Sequence, residues 1–447
     1  MTARWLLPWV AGLACLVACL TATTAAAWNL AKHEPESGLL FGMWYDRLSG
    51  VTPSDIEDKL QSHHISMWQS DINITDTLQD ASPFLRDVEK INTDAAIFLT
   101  VYPFEGIDAV SDGAIADLAK LLGRLTAQKL TAASGASATR RVFLRYASEM
   151  NGNWFKYGMQ PTKFVEHYRR VVTAVRAAAP EVAHIWGPNS PNGYPWIGGK
   201  YAPEPGSPDF QLLDTNHNGK LDIDDDPFTP YYPGDEYVDW VGISAYHYGK
   251  QFPWVDNVVA NTTELEGLMT GTGSPMVNPY NFYRMFSGDG VGGQPKSLTS
   301  GGKPFMLTET AAAYHLNFLS DGTPPFAGPG NVAVKQSWWQ QYLNPDFLAR
   351  YPKFKAVCSF EFKKAEELTM RDFSLTLDPA VAAAFVQDAE KMKTIHWAQP
   401  VTREASVLPD VLVASKSSAP RHSGTAERGW VAAVALTLAP MLLSAVC

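Results

Sequence analysis

Val142-Phe-Leu-Arg145-Tyr146 followed by Ala-Ser-Glu149-Met-Asn151-Gly152-Asn-Trp154-Phe155 is a short apolar run that delivers an acidic residue into a stretch of turn formers and aromatics. The same order recurs at Pro304-Phe-Met-Leu-Thr-Glu309. Working outward from these two, comparable apolar runs occupy Leu40 to Trp44, Ile65 to Trp68, Ala96 to Val101, Ala183 to Trp186, Val238 to Ala245 and Ala356 to Phe360. Short runs without alternation read as strands buried on both faces, the signature of a parallel sheet. Helical patterns fall between them, at Asp55 to Gln61, Ala114 to Gln128, Lys163 to Ala178, Val332 to Leu343 and Pro379 to Thr394, with Ser54, Asp112 and Thr162 as starts. Eight strands with interleaved helices close most simply as a (β/α)8 TIM barrel, whose functional rim is the C-terminal end of the strands. A doubly wound open sheet is the other α/β solution, but no glycine-rich phosphate loop follows the first run.

The chain has 447 residues, of which 46% are apolar and 18% charged, so it carries enough apolar surface to bury a large core. A net charge of −10 without a basic cluster in the body of the chain argues against nucleic acid as a partner. Both ends read as processing signals. Residues 1–27 have Arg4, an apolar stretch from Trp5 to Leu20 and a small-residue site at Ala25-Ala26-Ala27, the order of a secretory signal peptide. Leu16-Val-Ala-Cys19 also fits a lipoprotein site, and a buried helix is the plain alternative. At the other end, small residues Ser417-Ser418-Ala419 (or Ser423-Gly424-Thr425), a polar spacer and the apolar run Trp430 to Cys447 have the order of a GPI-attachment signal at 418–447. A transmembrane anchor is the alternative. The expected organisation is therefore a barrel at 28–398, a stalk at 399–417, and placement on the outer face of a membrane. Once the ends are removed only Cys358 remains, which excludes an intrachain disulfide. Asn73-Ile-Thr75 and Asn261-Thr-Thr263 are N-glycosylation sequons.

Two glutamates brought to one barrel rim meet the requirement for glycoside hydrolysis with retention, one as proton donor and one as nucleophile. Four stretches together are similar to glycoside hydrolase family 26: Arg145-x-x-x-Glu149-Met-Asn151-Gly152-x-Trp154-Phe155, Trp186-Gly-Pro-Asn189, Tyr237-Val-Asp239-Trp-Val-Gly242-Ile-Ser-Ala-Tyr246 and Lys303-Pro-Phe-Met-Leu-Thr-Glu309. That resemblance, which covers Leu39 to Leu377, implies a retaining barrel glycosidase, mostly a β-1,4-mannanase. It implies Glu149 as acid/base, Glu309 as nucleophile, Tyr246 bonded to the nucleophile and Arg145 holding Glu309 ionised. Trp154 would offer a stacking face and Asn189 a polar contact. Ser148 stands where the family has histidine, which puts the mannan preference in doubt more than the reaction type. Phe360 and Glu361 likewise replace an expected tryptophan, with Glu361 read as an ion-pair partner at the rim. A wall-glycan transglycosylase or β-glucanase, and a silent glycan-binding protein, are the alternatives on the same barrel.

A second constellation lies in the long connection after the fifth strand. Asp214, Asn216, Asn218, Lys220, Asp222 and Asp225, with Gly219 at the sixth place, have the spacing of a calcium loop in which Lys220 contributes its backbone carbonyl. An acidic surface turn is the plain alternative, since Asp225 stands where glutamate is usual. The expected partners are thus a polysaccharide and a structural Ca2+, with no cofactor for catalysis, and the chain is expected to act as a monomer.

Overall fold

The computed structural model describes residues 30–196, 198–272, 280–288 and 302–408. The expected signal peptide, the GPI signal and the stalk beyond 408 lie outside these residues. Eight parallel strands pair in sequence order: β1 (Leu39–Tyr45), β2 (Met67–Asn73), β3 (Ala96–Tyr102), β4 (Val142–Tyr146), β5 (Ala183–Trp186), β6 (Trp240–His247), β7 (Phe305–Ala312) and β8 (Phe354–Glu361). β8 then pairs with β1 from Leu40↔Ala356 to Tyr45↔Glu361, so the sheet has closed on itself as a (β/α)8 barrel. All eight apolar runs become strands because each is buried on both faces. Outward side chains pack beneath the helices, and inward ones fill the barrel. Leu40, Met67, Phe98, Phe143, Trp240 and Met306 are among those that form its apolar floor.

Above that floor the interior turns polar. Gln69 donates to Thr100 Oγ1 at 2.7 Å and accepts from Cys358 Sγ at 2.6 Å. Cys358 is a free, buried thiol. The layer above this one carries Asp71 and Arg145, in register through Thr100.

Helices lie close to where the periodicity places them, with starts shifted by a residue or two. Pro53–Lys59 is capped by Thr52, in a capping box with Asp55, and not by Ser54. Asp112–Ala127 is capped by Ser111, and Pro161–Ala178 opens on proline without a side-chain cap. Asn331–Tyr342 and Pro379–Lys391 occupy the last two expected stretches. The helix Thr77–Lys90 was not expected; it buries Ala81, Phe84, Leu85 and Val88 although Pro83 lies inside it. No helix of the described residues is long and apolar enough to cross a membrane.

Two small antiparallel sheets complete the domain. Tyr314–Phe318, Lys363–Glu366 and Thr369–Asp372 form one beyond the ends of β7 and β8. Lys129–Ala132, Ser137–Thr139 and Val401–Arg403 form the other. The latter corrects the boundary expected at 398. The chain from 399 to 408 is part of the packed domain: Val407 and Leu408 are buried, and Glu89 accepts from Ser406 Oγ and the Val407 N–H at 2.8 and 3.0 Å. The stretch lacked periodicity because strand pairing and one buried carboxylate, not an amphipathic face, hold it. Of the sequons, Asn261 is exposed, but Asn73 is 5% exposed with its Nδ2 donating to Asp76. That side chain has no room for a glycan in the folded chain.

Removing residues 399–408 strips two buried aliphatic side chains and takes from Glu89 two of its donors, leaving it Gln128 Nε2. The expected loss is on the order of 3 kcal/mol of stability. Urea unfolding of the truncated chain measures it; an unchanged midpoint would return the boundary to 398.

Candidate active site

Arg145 is the inward residue near the end of β4 and is fully buried. Its Nη1 donates to Glu309 Oε1 at 2.5 Å, and its Nη2 donates to the Gly187 carbonyl at 3.2 Å and to Ser244 Oγ at 2.8 Å. Burial opposes the charge on Arg145, but the Glu309 carboxylate, with Tyr102 and Glu149, more than offsets this, and its pKa lies above the usual value. Gly187 makes the approach possible: a Cβ there would sit 2.6 Å from Arg145 Nε.

Glu309 does not follow its strand, as expected, but lies within it. Inward positions on β7 begin at Met306, and strict alternation would point Glu309 outward. The pairing with β6 jumps from Ile243↔Leu307 to Ser244↔Glu309, so Thr308 is an extra residue. This β-bulge turns Glu309 into the barrel, the kind of re-aiming for which bulges recur beside active sites. Its Oε2 accepts from Tyr246 OH at 3.0 Å, and burial together with the Glu309 charge keeps that phenol protonated.

Glu149 reaches the same mouth from the turn after β4. Ala147 and Glu149 both take positive φ, 47° and 54°, conformations that cost a side-chain-bearing residue about 1 kcal/mol or more. The turn is tied down by the Glu149 N–H donating to the Gly187 carbonyl at 3.0 Å. Trp154 Nε1 donates to Glu149 Oε2 at 3.0 Å. That indole folds back over Gly152, where a Cβ would lie 2.3 Å from the ring. Burial, and then the charge on Glu309, raise the Glu149 pKa; Arg145 and hydrogen bonds from Ser244 and Trp154 only partly oppose them. One guanidinium thus separates two carboxyls of the same pocket: it pairs directly with Glu309, while Glu149 is biased toward its protonated form.

The structure therefore gathers Arg145, Glu149, Trp154, Tyr246 and Glu309. Trp154, expected as a stacking face, has its N–H bonded to Glu149. Asn189 is half-buried, and its backbone is clasped by Asn151, with Oδ1 accepting at 2.8 Å and Nδ2 donating at 3.0 Å. Ser244 and Asn151 were not among the residues expected here, and Asp71 was missed because the second strand was expected to end at Trp68. β2 continues to Asn73 and carries Asp71 to the mouth. The inward alternation Met67, Gln69, Asp71 was the available signal. Glu361 is not a rim ion-pair partner: it is buried and accepts from the N–H groups of Leu375 and Thr376 and from Thr376 Oγ1. His247 bonds Glu264 and the Val258 carbonyl, a structural arrangement.

The loop at 214–225 lies apart from this pocket in sequence, in the connection between β5 and β6. Asp214 accepts from the N–H groups of Asn218 and Gly219, and Asp225 from those of Asn216 and Asp222. Asp222 takes the amide nitrogens of Asn216 and Asn218, and the Lys220 N–H donates to Asn218. The donors are oxygen-rich, as calcium requires, but they face the loop's own N–H groups. Among the described residues no group of three or more His, Cys, Asp or Glu is arranged to hold a metal ion.

No protein-family model matches this chain, and no curated protein does. Among solved structures it is similar to a Cellulomonas fimi endo-β-1,4-mannanase double mutant, with 14% identity over 80% of this chain and 72% of that one and a TM-score of 0.45. It is also similar to a family 39 glycoside hydrolase from Bacteroides cellulosilyticus, at 13% identity, 80% and 65% coverage and a TM-score of 0.44. A Podospora anserina β-(1,4)-mannanase gives 11% identity, 80% and 62% coverage and a TM-score of 0.39. The assignment of the barrel stands on the strand pairing itself.

Trp154→Phe keeps the ring and removes the N–H that favours ionised Glu149, so the Glu149 pKa should rise further. Carboxyl-carbon NMR of the two proteins checks the sign, and a fall would contradict the electrostatics described.

Proposed function

We propose that this protein is a retaining glycoside hydrolase that cleaves β-linked polysaccharide by double displacement. The observation that carries the reading is the single buried guanidinium of Arg145, which pairs with one glutamate of the pocket while the other is pushed toward its protonated form. In the first step the Glu309 carboxylate attacks the anomeric carbon, the glycosidic C–O bond breaks, and the proton on Glu149 passes to the departing oxygen. In the second, Glu149 takes a proton from water as the water oxygen attacks the same carbon, and Glu309 leaves as carboxylate. Tyr246 and Arg145 hold Glu309 in line and carry no proton through the cycle. Mannan is the substrate suggested by the sequence resemblance, with Ser148 as the departure that weighs against it. Interception of the covalent intermediate by a sugar hydroxyl would give transglycosylation instead.

Glu309→Ala should lower turnover by at least about a thousandfold; activity within tenfold of wild type would exclude it as nucleophile. Glu149→Gln should spare substrates with good leaving groups far more than natural polymer, and equal losses on both would count against an acid role. A panel of mannan, β-1,3-glucan, mixed-linkage glucan and β-1,3-xylan, with NMR of the first-formed anomer, reads linkage and stereochemistry together. A polymer retained on a column but never cut would favour the glycan-binding alternative.

We further propose that the 214–225 loop takes Ca2+, supported by its ligand spacing and by the buried carboxylates of Asp214 and Asp225. Binding would require Asn216 and Asn218 to release Asp222 and turn their amide oxygens inward. Chelation should then lower the melting temperature, and an unchanged melt removes the proposal. Secretion and a GPI anchor, proposed on the terminal segments alone, would be checked by release of the protein from membranes by a phosphatidylinositol-specific phospholipase.

A further inference from the structure

A third carboxyl stands in the pocket and the two-glutamate mechanism does not use it. Asp71 pairs in register with Thr100, which in turn pairs with Arg145, so the two side chains occupy one level of the barrel. It follows Met67 and Gln69 on the inward face of β2, two residues above the polar layer that Gln69 forms with Thr100 and Cys358. The residue as a whole is half-buried at the mouth, yet its Oδ1 is shut off from solvent and, among the described residues, has no hydrogen-bond partner. An ionised carboxylate with an unsatisfied buried oxygen is costly, and a nearby cation would have to be free to offset it. The terminal nitrogens of Arg145 are committed, Nη1 to Glu309 and Nη2 to Gly187 and Ser244, and its Nε, which has no partner among the described residues, lies against Gly187.

The groups that act on Asp71 come from every neighbouring strand. Glu309 on β7 opposes its ionisation; Arg145 on β4, Arg47 just past β1, and a hydrogen bond from Trp44 on β1 favour it. Tyr102 on β3 and Cys358 on β8 are neutral neighbours, each with its own proton held more firmly by burial first and then by the carboxyls of the pocket. Burial is the largest influence, Glu309 the second, and together they push the Asp71 pKa up to about 8. Geometry and charge point the same way.

We propose that Asp71 is a third functional carboxyl of this site and that it works with its proton on, presenting a hydrogen-bond donor rather than a charge to the sugar held over Glu309. This rests on the glycosidase reading for its ligand, but the protonation state does not. An uncharged donor at this level leaves the Arg145 charge to the nucleophile alone. It also offers a ring hydroxyl a partner without adding a second anion beside Glu309.

The test has two arms. Carboxyl-carbon NMR of the ligand-free protein, with Asp71→Asn identifying the resonance, should find Asp71 titrating near pH 8. In Glu309→Gln the same carboxyl should titrate at lower pH, because the like charge is gone. Titration below about pH 5, in the ordinary carboxylate range, would overturn the proposal. In the second arm, Asp71→Asn retains a donor and should keep kcat/KM within about threefold of wild type, whereas Asp71→Ala should lose about tenfold or more, one hydrogen bond's worth. Equal damage by both substitutions, at unchanged melting temperature, would show that the charge is what matters and would sink the idea. A wild-type protein that cleaves no glycoside would remove the sugar role together with the functional reading, and the titration would still report separately whether Asp71 holds its proton.

Discussion

A guanidinium sealed inside a closed barrel sets the terms for everything above it. Arg145 has no solvent to share its charge, so the carboxylate it meets is held at 2.5 Å and the carbonyl and hydroxyl beside it are fixed in turn. Buried ion pairs of this kind contribute little net stability, because desolvation takes back most of what the attraction gives. Their value is in fixing geometry. Here the pair fixes Glu309 through one nitrogen, and through the Gly187 carbonyl it shares an acceptor with the Glu149 turn.

The barrel has to deform at two places to bring these groups together. An extra residue at Thr308 rotates Glu309 inward, leaving Thr308 Oγ1 buried and, among the described residues, without a partner. The chain after β4 takes two left-handed residues within three positions. The turn lies just past the C-terminal end of its strand, whereas the bulge lies within β7, whose pairing with β6 resumes from Ser244↔Glu309 to His247↔Ala312. The regular part of the barrel below, with its apolar floor and the Gln69 layer, is what keeps the irregular part in place.

How far the sequence could be read follows from what each feature depends on. The strands were legible because burial on both faces leaves an apolar run that has no other good explanation, and the two glutamates were legible because they stand next to such runs. Boundaries were less so: Ser54 and Asp112 look like caps, but Thr52 and Ser111 do the capping, since cap choice is decided by where the preceding loop lets the helix begin. The bulge at Thr308 has no sequence mark, as it is a property of the pairing between two strands. Residues 399–408 read as a stalk because their anchors, Glu89 and the Lys129–Ala132 strand, are hundreds of positions away in the chain. Asn73 reads as a glycan acceptor by its triplet, and only its burial shows otherwise.

Charge balance explains why three carboxyls can share one small pocket. Arg145 brings one positive charge to the level that holds Glu149, Glu309 and Asp71. Three ionised carboxylates there would leave two negative charges uncompensated in a site largely closed to water, an arrangement far costlier than protonating two of them. Glu309 is the carboxyl bonded directly to the guanidinium. The other two each lean on an indole, Glu149 on Trp154 and Asp71 on Trp44, and an indole N–H is a neutral donor that stabilises a carboxylate far less than a guanidinium does. The pocket thereby treats identical functional groups differently: Glu309 holds the direct ion pair, while burial and the Glu309 charge bias Glu149 and Asp71 toward their protonated forms.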